Sequence, residues 1–312
     1  MKKSSNKIDR SGNVTNGISS AANIAENSVS YSVDKLKEKI EKQTGFPSEL
    51  QTASKLIEHD WEYIANPRIR SEEGIVEEID FIALKNRTIK ISDERYNFEH
   101  INITTNVVMD AKKYSRPLVV FSSPWSSFDS DDIYSVISIF KENYEFRSRF
   151  CLISGFSEKL QIQQPARSAV VVNNNGDKPH DFDLGQISSA MARLYRASEV
   201  IEKDSLELFQ YVSDSELIDL CMIIPVIIFY GDMYEYYRSD EGSRLEKIDY
   251  TVIQSNTVGE KNRLYKCPLY IVNGNAVGVF LSILEDLIKT ISLKQISYVV
   301  DDLLSSRDLG DI

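Results

Sequence analysis

The chain has 312 residues, 42% of them hydrophobic and 27% charged, with a net charge of −11. That length buries a large core as one or two domains, and the composition is that of an ordinary soluble globular protein. The acidic balance excludes a broadly basic nucleic-acid coat, because non-specific phosphate binding needs a Lys/Arg surface. It leaves room for a local basic groove, or for a site where metal ions neutralise the phosphate.

Cys151, Cys221 and Cys267 are scattered without C-x-x-C spacing, which fits a reducing compartment and predicts neither a disulfide framework nor a zinc site. The only histidines are His59, His100 and His180, and no H-E-x-x-H pattern suggests a zinc hydrolase. The basic start has no continuous apolar stretch of the signal-peptide kind. The longest apolar run, Leu220–Tyr230, is too short to span a bilayer and carries Pro225 at its middle. A cytoplasmic protein is expected.

Residues 1–30 are rich in Ser, Asn and Gly without apolar periodicity and predict a mobile tail. "SVDKLKEKIEKQTG" predicts a short charged helix ending near Gly45. "FPSELQTASKLIEHDWEY" predicts a second helix, with Pro47 in its first turn and an apolar stripe of Leu50, Ala53, Leu56 and Ile57. Three extended segments follow, "WEYIANPRIR", "GIVEEIDFIAL" and "INITTNVVMDAK". The intervening "KNRTIKISDERYNFEH" is long enough for a hairpin arm or a loop.

"PLVVF" reads as a buried strand, about Asp131–Asn143 as a helix, and "RFCLISG" as another strand. The polar, turn-forming "NNNGDKPHDFD" marks the main internal boundary. Beyond it come a long amphipathic helix at about Leu184–Tyr211, strands through Leu220–Tyr230, "LEKIDYTVIQS" and "RLYKCPLYIVN", and a closing helix from Ala276. The order predicts an α/β (α+β) sandwich. Residues 31–172 would form the core and 184–312 a C-terminal α/β extension or second domain.

Asp110-Ala111-Lys112 is the only Asp/Glu-x-Lys triplet in the chain, and it ends an apolar strand. Residues i and i+2 of a strand share a face, so a carboxylate and an ammonium stand side by side. Asp80 sits in a second apolar strand among Ile79, Phe81, Ile82 and Ala83, where an unpaired carboxylate is costly to desolvate. Glu49 on the preceding helix is a third acid. Three acids and a lysine form a plausible divalent-metal constellation, since Mg²⁺ takes carboxylate, carbonyl and water oxygens. A metal-bound water could attack a phosphodiester while metal and lysine stabilise the developing charge.

The run from the Glu49 helix through "EEIDFIAL" to "VVMDAKKYSRPLVVF" resembles the PD-(D/E)xK nuclease superfamily, which has the restriction-endonuclease-like fold. The resemblance covers about Phe46 to Phe121. It implies Mg²⁺ or Mn²⁺ held by Asp80 and Asp110, with Glu49 and the Ala111 carbonyl assisting. It further implies that Lys112 positions or activates water. Ile79 stands where the family often has proline, and the triplet carries Asp in place of the commoner Glu. The implied substrate is nucleic acid, DNA favoured, and a role in bacterial defence against phage or plasmid DNA would suit such an enzyme.

Each residue also has a plainer role open to it. Asp110 and Lys112 would make a surface ion pair worth about 0–1 kcal/mol. Asp80 would cap a turn at a strand end or pair with Lys85, and Glu49 would favour the helix macrodipole. Lys113, Arg116, Arg68 and Arg70, with Lys85, Arg87 and Lys90, would either track phosphates or be solvated charges. The aromatic "FYGDMYEYY" would stack on bases or form core and interface. A catalytically silent scaffold binding a protein partner, or its own copy as a homodimer, through the C-terminal half is the alternative function.

Overall fold

The structure, a computed structural model, describes residues 32–43, 45–70, 74, 76–90, 100–122, 133–141, 144–153, 155–172, 182–183, 185–209, 218–258 and 264–292. The expected tail and the far part of the closing helix lie outside the described residues. Residues up to Thr44 form one unit and those from Gly45 another. The first contains helix α1 (Val33–Gln43), on which Val33, Leu36 and Ile40 are exposed.

The second unit begins with α2 (Phe46–Glu58), Pro47 lying in its first turn as expected. Its buried line is Ser48, Thr52 and Leu56, with Ala53 half-buried, whereas Leu50 and Ile57 are exposed. The helix is thus rotated from the predicted stripe. The polar face is tolerated because the Thr52 hydroxyl bonds both Ser48 O, at 3.0 Å, and Tyr230 Oη, at 2.9 Å.

Strands β1 (Glu62–Ala65), β4 (Phe81–Lys90) and β5 (His100–Lys113) form an antiparallel meander. A two-stranded hairpin, β2 (Arg68–Arg70) with β3 (Val76–Glu78), is inserted between the first two. β4 and β5 pair from Phe81↔Met109 to Lys90↔His100, so the long excursion between the two acidic strands is mostly the far arm of one hairpin.

Next come β6 (Leu118–Ser122), β7 (Ile133–Lys141), β8 (Tyr144–Ile153) and the short α3 (Phe156–Lys159). The helix expected at Asp131–Asn143 is therefore strand β7, paired along its length with β8. "IYSVISIF" is β-branched and aromatic, and with β8 as a cross-strand partner it forms a strand. After β9 (Ser168–Val172) and β10 (Phe182–Asp183) the chain enters α4 (Gly185–Phe209), close to the predicted helix.

β11 (Ile218–Tyr230) returns parallel to β5, pairing with it from Ile218↔Ile101 to Tyr230↔Lys113. On its other edge β11 pairs β7 up to Met222 and a later strand from Val226. Pro225, which has no N–H to give, falls in the interval between them. The remaining elements are β12 (Met233–Ser239), β13 (Gly242–Lys247), β14 (Tyr250–Val258), β15 (Leu264–Asn273), a 3-10 turn (Gly274–Ala276) and α5 (Val277–Thr290).

The main mixed sheet runs β1-β4-β5-β11-β15-β14, with β7 and β8 attached to β11, and a second sheet runs β10-β9-β6-β12-β13. Elements from both sides of the expected boundary at 173–183 share the main sheet. One of its faces is packed by Leu56 of α2, Phe156 of α3 and Phe280 and Leu284 of α5. The other is packed by Ala190 and Leu194 of α4 and by Leu118 and Val171 of the second sheet. Alternation assigns Met109 and Ala111 to the first face and Val108 to the second. By the same period of two, Asp110 and Lys112 face α4.

Candidate active site

Asp80 occupies the bend between β3 and β4, directly before the Phe81↔Met109 pair. That register carries its carboxylate to the middle of the Asp110-Ala111-Lys112 triplet. The backbone N–H of Ala111 donates to Asp80 Oδ2 at 2.6 Å. Asp110 is fully buried, and its own carboxylate lies within hydrogen-bonding reach of Asp80.

Each oxygen of Asp110 has a cation. Lys112 Nζ donates to Oδ1. Arg193 Nη2, from the middle of α4, donates to Oδ2 at 2.6 Å. A carboxylate this deeply desolvated persists only with such pairing. The pairing is not a surface ion pair, because Asp110 keeps 1% of its side-chain surface and Lys112 22%.

Asp80 lacks equivalent support. Burial, followed by the negative charge of Asp110, pushes its carboxyl up to about 7, against the opposing pull of Lys112 and the Ala111 N–H. With Lys112 and Arg193 both engaged by Asp110, the Asp80 carboxylate has no cation of its own, and a proton or a metal ion beside it would relieve its burial and its repulsion from Asp110. The donor atoms of both acids are oxygen. This donor set fits a hard divalent ion held by one or two carboxylates, with water and substrate oxygens completing its shell.

Glu49 is not brought to the pair. It is half-buried near the N-terminus of α2, the helix packed on the opposite face of the sheet. Among the described residues no three of His, Cys, Asp and Glu come together as a metal-binding group. Ala111 is buried, and its N–H rather than its carbonyl is the group that meets Asp80.

The basic residues divide. Lys113 and Arg116 are exposed just past the triplet, and Arg68 and Arg70 are exposed on the β2 strand, where Arg68 approaches Glu78 at 3.4 Å. Lys85 and Arg87 hold structure instead. Lys85 Nζ donates to His59 O at 2.8 Å and Glu285 Oε1 at 2.9 Å, and so has no part in balancing Asp80. Arg87 reaches the carbonyl of Ile288 in the last turn of α5 and that of Ile291 just past its end.

The site also holds two residues that no sequence motif marks, Arg193 and Arg196. Arg196 Nε donates to Glu77 Oε1 at 2.5 Å, anchoring α4 to the hairpin that precedes Asp80. Their signal was "ARLYR", which sets two guanidiniums one turn apart beside the buried line Ile187, Ala190, Leu194 and Ala197. Arginines flanking an apolar stripe point to buried acids nearby, though not to which ones.

No protein-family model, curated protein or solved structure matches this chain. Among the described residues no helix is long and apolar enough to cross a membrane.

Proposed function

We propose that this protein is a metal-dependent nuclease of the PD-(D/E)xK type, hydrolysing phosphodiester bonds of nucleic acid, with DNA the favoured substrate and bacterial defence a fitting role. One observation carries the reading. Asp80 and Asp110, thirty residues apart, meet at the ends of adjacent strands with Lys112 on the same carboxylate. A mixed sheet flanked by helices, as in the restriction-endonuclease-like fold, supports it.

Asp80 and Asp110 would hold Mg²⁺ or Mn²⁺. The bound ion would supply Lewis acidity toward a phosphate oxygen and lower the pKa of a water. Lys112, half-buried and anchored on Asp110, would donate a hydrogen bond to that water or to a phosphate oxygen. The Ala111 N–H fixes the Asp80 carboxylate, and Arg193 fixes that of Asp110. Arg68, Arg70, Lys113 and Arg116 would bind flanking phosphates.

The test is cleavage of labelled single- and double-stranded DNA and RNA with Mg²⁺ or Mn²⁺. Asp110→Ala and Lys112→Ala, shown to be folded, should each abolish cutting. Cutting by both variants at the wild-type rate would remove the assignment.

A second reading, the catalytically silent scaffold, draws on the two cations already on Asp110 and on the lack of a third acid among the described residues. A protein of that kind would gain no thermal stability from Mg²⁺ or Mn²⁺, whereas a working site gains it by linkage.

A further inference from the structure

The two arginines of α4 differ in one respect. Arg196 uses its Nε–H on Glu77. Arg193 gives Nη2–H to Asp110, but its Nε–H is buried and, among the described residues, has no hydrogen-bond partner. Nε and Nη2 lie on one edge of the guanidinium and form a fork that matches two oxygens. Asp110 supplies one of them. A buried N–H without an acceptor is costly and rare, and where it occurs the missing partner is commonly a water, an ion or a ligand. The Nε itself is buried, but the Arg193 side chain as a whole keeps 30% of its surface exposed, so the guanidinium is not sealed in the core.

The missing oxygen would lie on the Asp110 side of the guanidinium, the carboxylate whose other oxygen holds Lys112, and the nuclease reading puts substrate at that carboxylate. We propose that Arg193 is the phosphate-binding residue of this site, its Nε–H edge taking a non-bridging oxygen of the scissile phosphodiester. The proposal rests on the nuclease reading for the identity of the substrate. The geometry of the fork does not depend on that reading. A planar fork binds a phosphate oxygen and a carboxylate oxygen together, which the point charge of a lysine does not reproduce.

The experiment compares wild type, Arg193→Ala and Arg193→Lys in three readouts. These are Mg²⁺ affinity alone, affinity of the Mg²⁺-saturated protein for inorganic phosphate by calorimetry, and the rate of nucleic-acid cleavage. Neither variant should lose more than about threefold in Mg²⁺ affinity, since a carboxylate relieved of a cation binds a metal no less readily, and both should lose phosphate affinity about tenfold or more. Cleavage should fall about 10²–10³-fold, as when one preorganised donor to a transition state is removed.

Unchanged phosphate affinity in a folded variant overturns the proposal even where wild type cuts nucleic acid, and the nuclease reading then survives. Loss of Mg²⁺ and phosphate affinity in parallel also overturns it, since Arg193 would then only position Asp110. Phosphate binding that requires Arg193, in a protein that cuts no nucleic acid, upholds the phosphate site and removes the nuclease reading. Wild type that binds no phosphate removes the proposal outright. Arg193→Lys retains a cation for Asp110, so the comparison holds even if Arg193→Ala does not fold.

Discussion

The backbone N–H of Ala111 donates to Asp80 Oδ2 at 2.6 Å, so a strand's own amide fixes the carboxylate that stands against Asp110. Because the donor is main chain, no substitution at position 111 other than proline removes it. The orientation of Asp80 therefore depends on the β4–β5 register, and the charge of Asp80 on its neighbours.

That charge gives the first prediction. The Asp80 carboxyl is pushed from 3.8 up to about 7, chiefly by burial and then by Asp110, so the folded state binds a proton that the unfolded state has released. In metal-free buffer, stability should fall as pH rises from about 4 to about 7 and level off above it. Asp80→Asn should flatten this slope and be the more stable protein at pH 8. Urea midpoints at pH 5, 6, 7 and 8 in chelator measure the difference. Parallel slopes for the two proteins would rule the assignment out.

Asp110 is the anion on which Lys112 and Arg193 converge. Asp110→Ala leaves two cations facing each other in a desolvated place and should cost about 3–5 kcal/mol. Lys112→Ala should cost less, because Arg193 still neutralises the acid. Denaturant unfolding of the two variants gives the order, and the reverse order would show that Asp110 does not depend on these cations.

The exposed and the structural cations should separate cleanly. Arg70→Ala and Arg116→Ala should each lower the salt slope of nucleic-acid binding by about 1, as expected for one lost phosphate contact. Glu285→Ala should leave that slope alone. It removes the acceptor of both Trp61 Nε1, at 2.8 Å, and Lys85, and should lower stability by about 1–3 kcal/mol. Binding isotherms at several salt concentrations, with a urea titration, test both halves.

A methyl group at Gly274 would fall on the Tyr230 ring, whose hydroxyl holds Thr52 of α2. Gly274→Ala should therefore destabilise by about 1–3 kcal/mol through overpacking. The loss should shrink in a Tyr230→Ala background, where the ring is gone. A double-mutant cycle of unfolding free energies reads the coupling, and simple additivity would mean that the ring is not what resists the methyl.

Asp80, Asp110 and Lys112 were legible in the sequence because their signals are local. A carboxylate inside an apolar run, and an acid two residues before a lysine, announce themselves without a partner in view, although the run breaks at Asp80 into the bend between β3 and β4. α2 and α4 were legible from apolar periodicity and Pro47. Residues 133–141 were not, because "IYSVISIF" is apolar and short, and only the presence of β8 beside it made it a strand. The rotation of α2 was equally hidden, since Thr52 could be buried only once Tyr230 lay across from it.

By itself the sequence determined which residues carry charge into apolar surroundings, and that Asp110 and Lys112 share a face. Tertiary structure decided the rest. It set Asp80 against Asp110 through strand register, left Glu49 on the helix packed against the other face, and brought Arg193 from α4, 83 residues further along the chain, onto Asp110. The physical reason is that pairing a buried charge is a non-local requirement. Desolvation makes a partner obligatory, but any cation that the fold can deliver will meet it, and chain topology alone selects which one.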